Sequence, residues 1–180
     1  MGTLVERLSA ARIGRTFNMY REGERAPLLC ERLARYLDDR AGASILLVGE
    51  APGYRGTRVS GIPLTSERQL TGDGPAEATA AIVHGVLAEH ELVDDVLLWN
   101  VVPTHPGTKS SNRAPTRAEV AAARPFLDEL ARGRRVIGLG RVAQAALGCA
   151  YVRHPSRGGA AAFRAGLVES LRGRSTHGPS

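Results

Sequence analysis

Three short apolar runs, each closing on glycine or asparagine and each followed by a helical pattern, constrain this chain more than any other feature. They are Ile45-Leu46-Leu47-Val48, Val96-Leu97-Leu98-Trp99-Asn100-Val101 and Arg135-Val136-Ile137-Gly138. A strand with one wet face alternates apolar and polar residues; a run without alternation is buried on both faces, as in a parallel sheet covered by helices. A fourth, shorter run, Tyr151-Val152-Arg153, leads into His154-Pro155. Helices are expected between the strands. One runs over 27–39, with Leu28, Leu29, Leu33 and Leu37 on one face; a second runs over 75–90 behind Asp73. A third opens on the capping box Thr116-Arg117-Ala118-Glu119 and runs to 132; others cover 140–147 and 159–171. The order β-α-β-α-β-α-β-α predicts an α/β fold: a three-layer α/β/α sandwich around a central four-stranded parallel sheet.

The domain is expected over 26–172, preceded by a polar, Arg-rich arm over 1–25 and followed by a disordered tail over 173–180. The 180 residues suit one domain with a full core. Trp99, inside a strand run, is expected in that core. Cys30 and Cys149 are too few and too far apart for a disulfide framework or a cysteine metal site, so both are expected as buried, inert thiols and no metal or cofactor is expected. No secretory leader pattern and no apolar run of about 18 residues is visible, which predicts a soluble cytoplasmic protein with no membrane partner. A net charge of +6 and a pI near 10.1 favour a polyanionic partner. Lys109 is the only lysine, however, so the excess of arginine also reads as compositional bias.

In doubly wound sheets ligands bind where the loops leave the carboxyl ends of the strands. Here those loops are 49–74, 100–115 and 154–158, and they collect the glycine, proline, asparagine and histidine. Gly49-Glu50-Ala51-Pro52-Gly53 makes a rigid turn whose backbone can approach a ligand, and it matches no phosphate loop. Asn100 ends the second run with an amide that offers an acceptor and two donors, suited to a nucleobase edge or, equally, to strand-end backbone. His154, in Arg153-His154-Pro155-Ser156-Arg157-Gly158-Gly159, can donate to a leaving group gaining negative charge.

Taken together and in this order, the three segments resemble the uracil-DNA glycosylase superfamily over nearly the whole chain. Gly49-Glu50-Ala51-Pro52-Gly53, followed by Gly61-Ile62-Pro63-Leu64-Thr65, resembles the first motif; the apolar strand ending in Asn100 resembles the second; His154-Pro155-Ser156 resembles the third. The resemblance implies a monomeric, monofunctional hydrolase, nucleoid-associated, that flips uracil or a related deaminated base out of DNA, cleaves its N-glycosidic bond and leaves an abasic site. It assigns His154 to the departing base, Asn100 to the base edge, Glu50 to the attacking water, and Gly49, Ala51, Pro52, Gly53 and Leu64 to the walls of the base site. Arg157 is implied as a wedge in the duplex, with Ser66, Ser156 and Gly158 on phosphates. Arg113, Lys109 and Arg55, and with them Arg58, are further candidates for phosphate contacts.

The chain departs from the family pattern at three places. Ala51 stands where the most active members carry aspartate, Leu64 where an aromatic ring stacks on the base, and Gly53 where a tyrosine excludes the thymine methyl. The last departure predicts a pocket opened to larger bases. A superfamily member that binds uracil-containing DNA with little or no hydrolysis is the alternative, and an α/β enzyme of nucleoside or nucleotide-sugar chemistry sharing only the turn is a third.

Overall fold

The computed structural model describes residues 2–155 and 158–172. Four strands, β1 (Ile45–Gly49), β2 (Val96–Asn100), β3 (Arg135–Leu139) and β4 (Ala150–Val152), form one all-parallel sheet in the order β2-β1-β3-β4. Helices cover both faces, so the three-layer α/β/α sandwich expected from the sequence is the fold. Side chains alternate between two cores. Leu46, Val48, Leu97 and Trp99 pack with α1 (Leu4–Ala10), α2 (Ala26–Asp39) and α6 (Arg117–Ala131). Leu47, Leu98, Ile137, Leu139 and Val152 pack with α5 (Ala78–Glu89) and α8 (Ala160–Arg172). Both faces of β1 and β2 are dry, which is why their runs carry no alternation. Trp99 is fully buried, as expected. On the outer edge of the sheet the Leu98 N–H donates to Tyr36 Oη at 2.7 Å, so a helix side chain blunts the open strand.

Three local readings change. The first 25 residues are read as an arm, yet Val5, Leu8, Ile13, Met19 and Tyr20 lie in the first core. A Thr3–Glu6 capping box starts α1, and Asn18, almost fully buried, donates through Nδ2 to the carbonyls of Leu8 and Ala11. The stretch 49–74 contains two short helices, α3 (Thr57–Ser60) and α4 (Glu67–Thr71). And α5 starts three residues later than the Pro75 reading: Gly72 and Gly74 take positive φ, Pro75 O accepts from Arg68 N–H, and Glu77 rather than Asp73 takes the N-cap position. The remaining helix, α7 (Gly140–Leu147), follows β3 directly. Cys30 and Cys149 are unpaired and half-buried. Among the described residues no helix is long and apolar enough to cross a membrane.

Candidate active site

The register of the sheet brings the motif residues together. Gly49 and Asn100 are partners at the ends of β1 and β2, and the ladder continues past them: Val101 N–H donates to Gly49 O at 2.9 Å and Val102 N–H to Glu50 O at 3.2 Å. On the far side of the sheet His154 leaves β4 and packs across the start of α7, where a Cβ on Gly140 would stand 3.6 Å from that of His154. Glu50 and His154 thereby line the same two spaces. One is an outer cleft of about 530 Å³ that also takes in Asn112, Arg113, Gly140 and Arg141. The other is an inner cavity of about 40 Å³, bounded further by Ala51, Gly53, Leu64, Glu77 and Ala80.

Asn100 is 1 % exposed and lies behind the inner cavity, reaching it through Gly49 and the cavity-lining Leu64. Neither its Nδ2 nor its Oδ1 has a hydrogen-bond partner. A buried amide left in that state costs about 1–3 kcal/mol relative to a satisfied one, and such groups call for a specific reason. Gly49 is part of the reason the amide fits: a Cβ there would lie 3.0 Å from Asn100 Nδ2 and 2.9 Å from Leu64 Cδ2. Leu64 itself holds φ at +52°, in a region unfavourable for a non-glycine residue, with its N–H donated to Thr57 Oγ1. Gly49→Ala is accordingly expected to cost about 1–3 kcal/mol by overpacking, read as a lower Tm.

The turn that carries Glu50 is held from outside by two residues not assigned from the sequence. His105 is fully buried between two carbonyl oxygens, its Nδ1 2.8 Å from Pro52 O and its Nε2 2.7 Å from Thr108 O. Its backbone also bridges to Phe17 in both directions, which ties the N-terminal segment to the site. Asn112 Oδ1 accepts from Tyr54 N–H at 2.9 Å. Burial sets the electrostatics of the cavity: it pushes the Glu50 carboxyl up from its usual range and the His154 imidazole down from its own.

The candidate DNA contacts are more dispersed. Arg113 lines the outer cleft but spends both terminal nitrogens on Glu119, at 2.8 and 2.6 Å. Lys109 lies in a different groove, with Phe17 and Arg58; the Arg58 guanidinium stacks 4.7 Å from the Phe17 ring centre. Arg55 is exposed on the turn. Ser66 is buried at the N-terminus of α4, where Gln69 Oε1 accepts from both its backbone N–H and its hydroxyl. Gly158 is exposed with φ +74°. Ser156 and Arg157 lie outside the described residues, as does the tail over 173–180.

Comparison with known proteins bears on this arrangement. The model of the uracil DNA glycosylase superfamily matches residues 36–171. The fold is similar to the crystal structure of wild-type Pedobacter heparinus SMUG2, with a TM-score of 0.66 and 16 % identity, over 95 % of this chain and 97 % of that one. No curated protein matches the chain significantly in sequence.

Proposed function

We propose that this chain, which belongs to the uracil DNA glycosylase superfamily, excises uracil or a related deaminated base from DNA by hydrolysing its N-glycosidic bond and leaves an abasic site. The observation that carries this reading is the unspent amide of Asn100, buried at a strand end next to Gly49 and Leu64, the latter lining a cavity with Glu50 and His154. A flipped base brings the imide edge that such an amide lacks, whereas an amide serving strand-end backbone would already be bonded. Cleavage develops positive charge on the sugar and negative charge on the departing base. His154 is assigned to the base, where an N–H donor stabilises the charge as it grows. Glu50, the carboxylate next to Ala51, is assigned to the attacking water. The walls of the base site are Gly49, Ala51, Pro52, Gly53 and Leu64; contacts from Ser66, Ser156, Arg157, Gly158, Arg113, Lys109 and Arg55 to DNA remain part of the same reading, as do a monomeric state and a nucleoid-associated, cytoplasmic location.

The test is incubation with a labelled uracil-containing oligonucleotide followed by alkali, which cuts the strand at abasic sites. A cut strand supports hydrolysis. A strand shifted on a gel but uncut supports the binding-only alternative, favoured by Ala51 in place of an aspartate and Leu64 in place of an aromatic ring; loss of one stacked ring forgoes about 1–3 kcal/mol. The pH dependence checks Glu50 separately. A carboxylate that positions water works ionised, and burial raises the pKa of Glu50 above 4.5. The rate is therefore expected to fall with decreasing pH along a limb that lies above that value, and Glu50→Gln is expected to remove the limb.

A further inference from the structure

The inner cavity has a wall that nothing in the neighbouring sequence announces. Glu77 stands at the N-cap of α5 in extended backbone, φ −124° and ψ 126°, yet its side chain caps nothing. It reaches instead to the turn after β1. A Cβ on Gly53 would stand 2.7 and 2.8 Å from the two carboxyl oxygens, and one on Gly56 only 1.8 Å from Oε2. The carboxyl of residue 77 thus fills the space that a side chain at 53 or 56 would need. The loss of bulk at Gly53 is compensated from another element, so the pocket is not open on that side, contrary to the expectation from the sequence.

The cavity is also small. Its 40 Å³ compares with roughly 10–15 Å³ for one water, so it holds a few waters and no nucleobase. A base enters only by displacing a wall. Ala51 and Gly53 are parts of the turn that His105 and Asn112 brace, and Ala80 is buried in α5. Leu64 is tied through its N–H to Thr57. The carboxyl of Glu77 is the free end of a flexible side chain, and no hydrogen bond engages it among the described residues. It is the wall that gives.

We propose that Glu77 determines base selectivity: its carboxyl is the movable wall of the cavity, replaces the side chain absent at Gly53, and admits uracil while holding back bases that carry a methyl group or a second ring on that side. The inference rests on the glycosylase reading of the site for the identity of the ligand, and not on turnover.

The experiment uses the full chain and oligonucleotides bearing the 2′-fluoro forms of deoxyuridine, thymidine and deoxyinosine, which bind without being cleaved; the natural forms are assayed for cleavage in parallel. Glu77→Ala is expected to raise the affinity for the thymine or hypoxanthine probe relative to uracil by about tenfold or more, the scale of a methylene-sized fit in a pocket. Glu77→Gln, of equal size, is expected to keep the wild-type ratio. Gly53→Ala in the wild-type background is expected to move the ratio the other way. Combined with Glu77→Ala it is expected to cancel the gain, because the new Cβ occupies the vacated space. An unchanged ratio in a folded Glu77→Ala protein overturns the proposal, as does a shift in Glu77→Gln equal to that in Glu77→Ala. If Glu77→Ala does not fold, an unchanged ratio in Gly53→Ala overturns it. A wild-type protein that binds the probes but cleaves none of the natural forms defeats the catalytic reading while the ratios still test the wall; one that binds no probe defeats both.

Discussion

Replacing His154 with alanine is expected to lower kcat by about 10²–10³-fold, the loss of one preorganised donor worth roughly 2.7–4 kcal/mol, while affinity for the 2′-fluoro uracil probe changes far less. The split follows from when the interaction is made. A donor aimed at the departing base gains strength as negative charge appears, so its loss falls on the transition state and not on binding. His154 lines the same cavity as Glu50 and packs against Gly140. Burial pushes its pKa below 6.5. Burial thus favours the neutral imidazole, which donates without an added charge. With the acid limb assigned to Glu50, the His154→Ala protein is expected to keep that limb at a uniformly lower rate. A loss of less than about tenfold, equal to 1.36 kcal/mol, or a loss expressed wholly in KM, would remove His154 from the reaction.

Most of what surrounds this site is legible in the chain, for identifiable reasons. Leu46, Leu47 and Val48 face alternate cores, both of them dry, and that burial is what an unbroken apolar run records. Asn100 stands out because a polar residue ends such a run, and it is there that the structure leaves a polar group unspent. Other features leave no period to read. Helices α3 and α4, of four and five residues, are hardly more than one turn of 3.6 residues. Val5, Leu8, Ile13, Met19 and Tyr20 enter the core from a short helix and turns, so no spacing connects them. Partners far apart in sequence are the hardest case. Neither Gly53 and Glu77, 24 positions apart, nor Pro52 and His105, 53 apart, carry a signal that the pairs meet. Arg113 shows the same limit from the other side: a basic residue in a loop at the carboxyl end of the sheet reads as a phosphate contact, and its partner Glu119 reads only as a helix cap.

Removing that partner is expected to give the largest loss of stability. Glu119 is 2 % exposed and accepts four hydrogen bonds: two from Arg113, one from Thr116 N–H at 2.8 Å and one from Arg15 N–H at 3.2 Å. A Cβ on Gly14 would lie 2.5 Å from its Cγ, so the N-terminal segment is built closely around it. Alanine strands these donors and exposes a helix start at once, at an expected cost of about 3 kcal/mol, the low end for breaking a buried pair because Arg113 retains access to water. For a domain of this size each kcal/mol lowers Tm by about 2–4 °C. The pH dependence has a definite sign. The Arg113 guanidinium, above all, holds the Glu119 carboxyl down to about 2, from 4.5. A depressed folded-state pKa adds stability in full above 4.5 and loses it as pH falls from there toward 2. Glu119→Gln keeps a residue able to complete the capping box but cannot ionise. It is expected to be less stable than wild type near neutrality, with the difference shrinking through that acid window in chemical denaturation. Unfolding curves of wild type and Glu119→Gln that stay parallel from pH 7 to about 3 would show that the pair contributes nothing. The effect also reaches the site. Asn112, next to Arg113, accepts from Tyr54 N–H just after the turn that carries Glu50, so releasing Arg113 is expected to loosen the brace on Glu50. Glu119→Ala is expected to slow cleavage even at temperatures where it is fully folded, whereas a purely global loss would leave the folded fraction at wild-type rate.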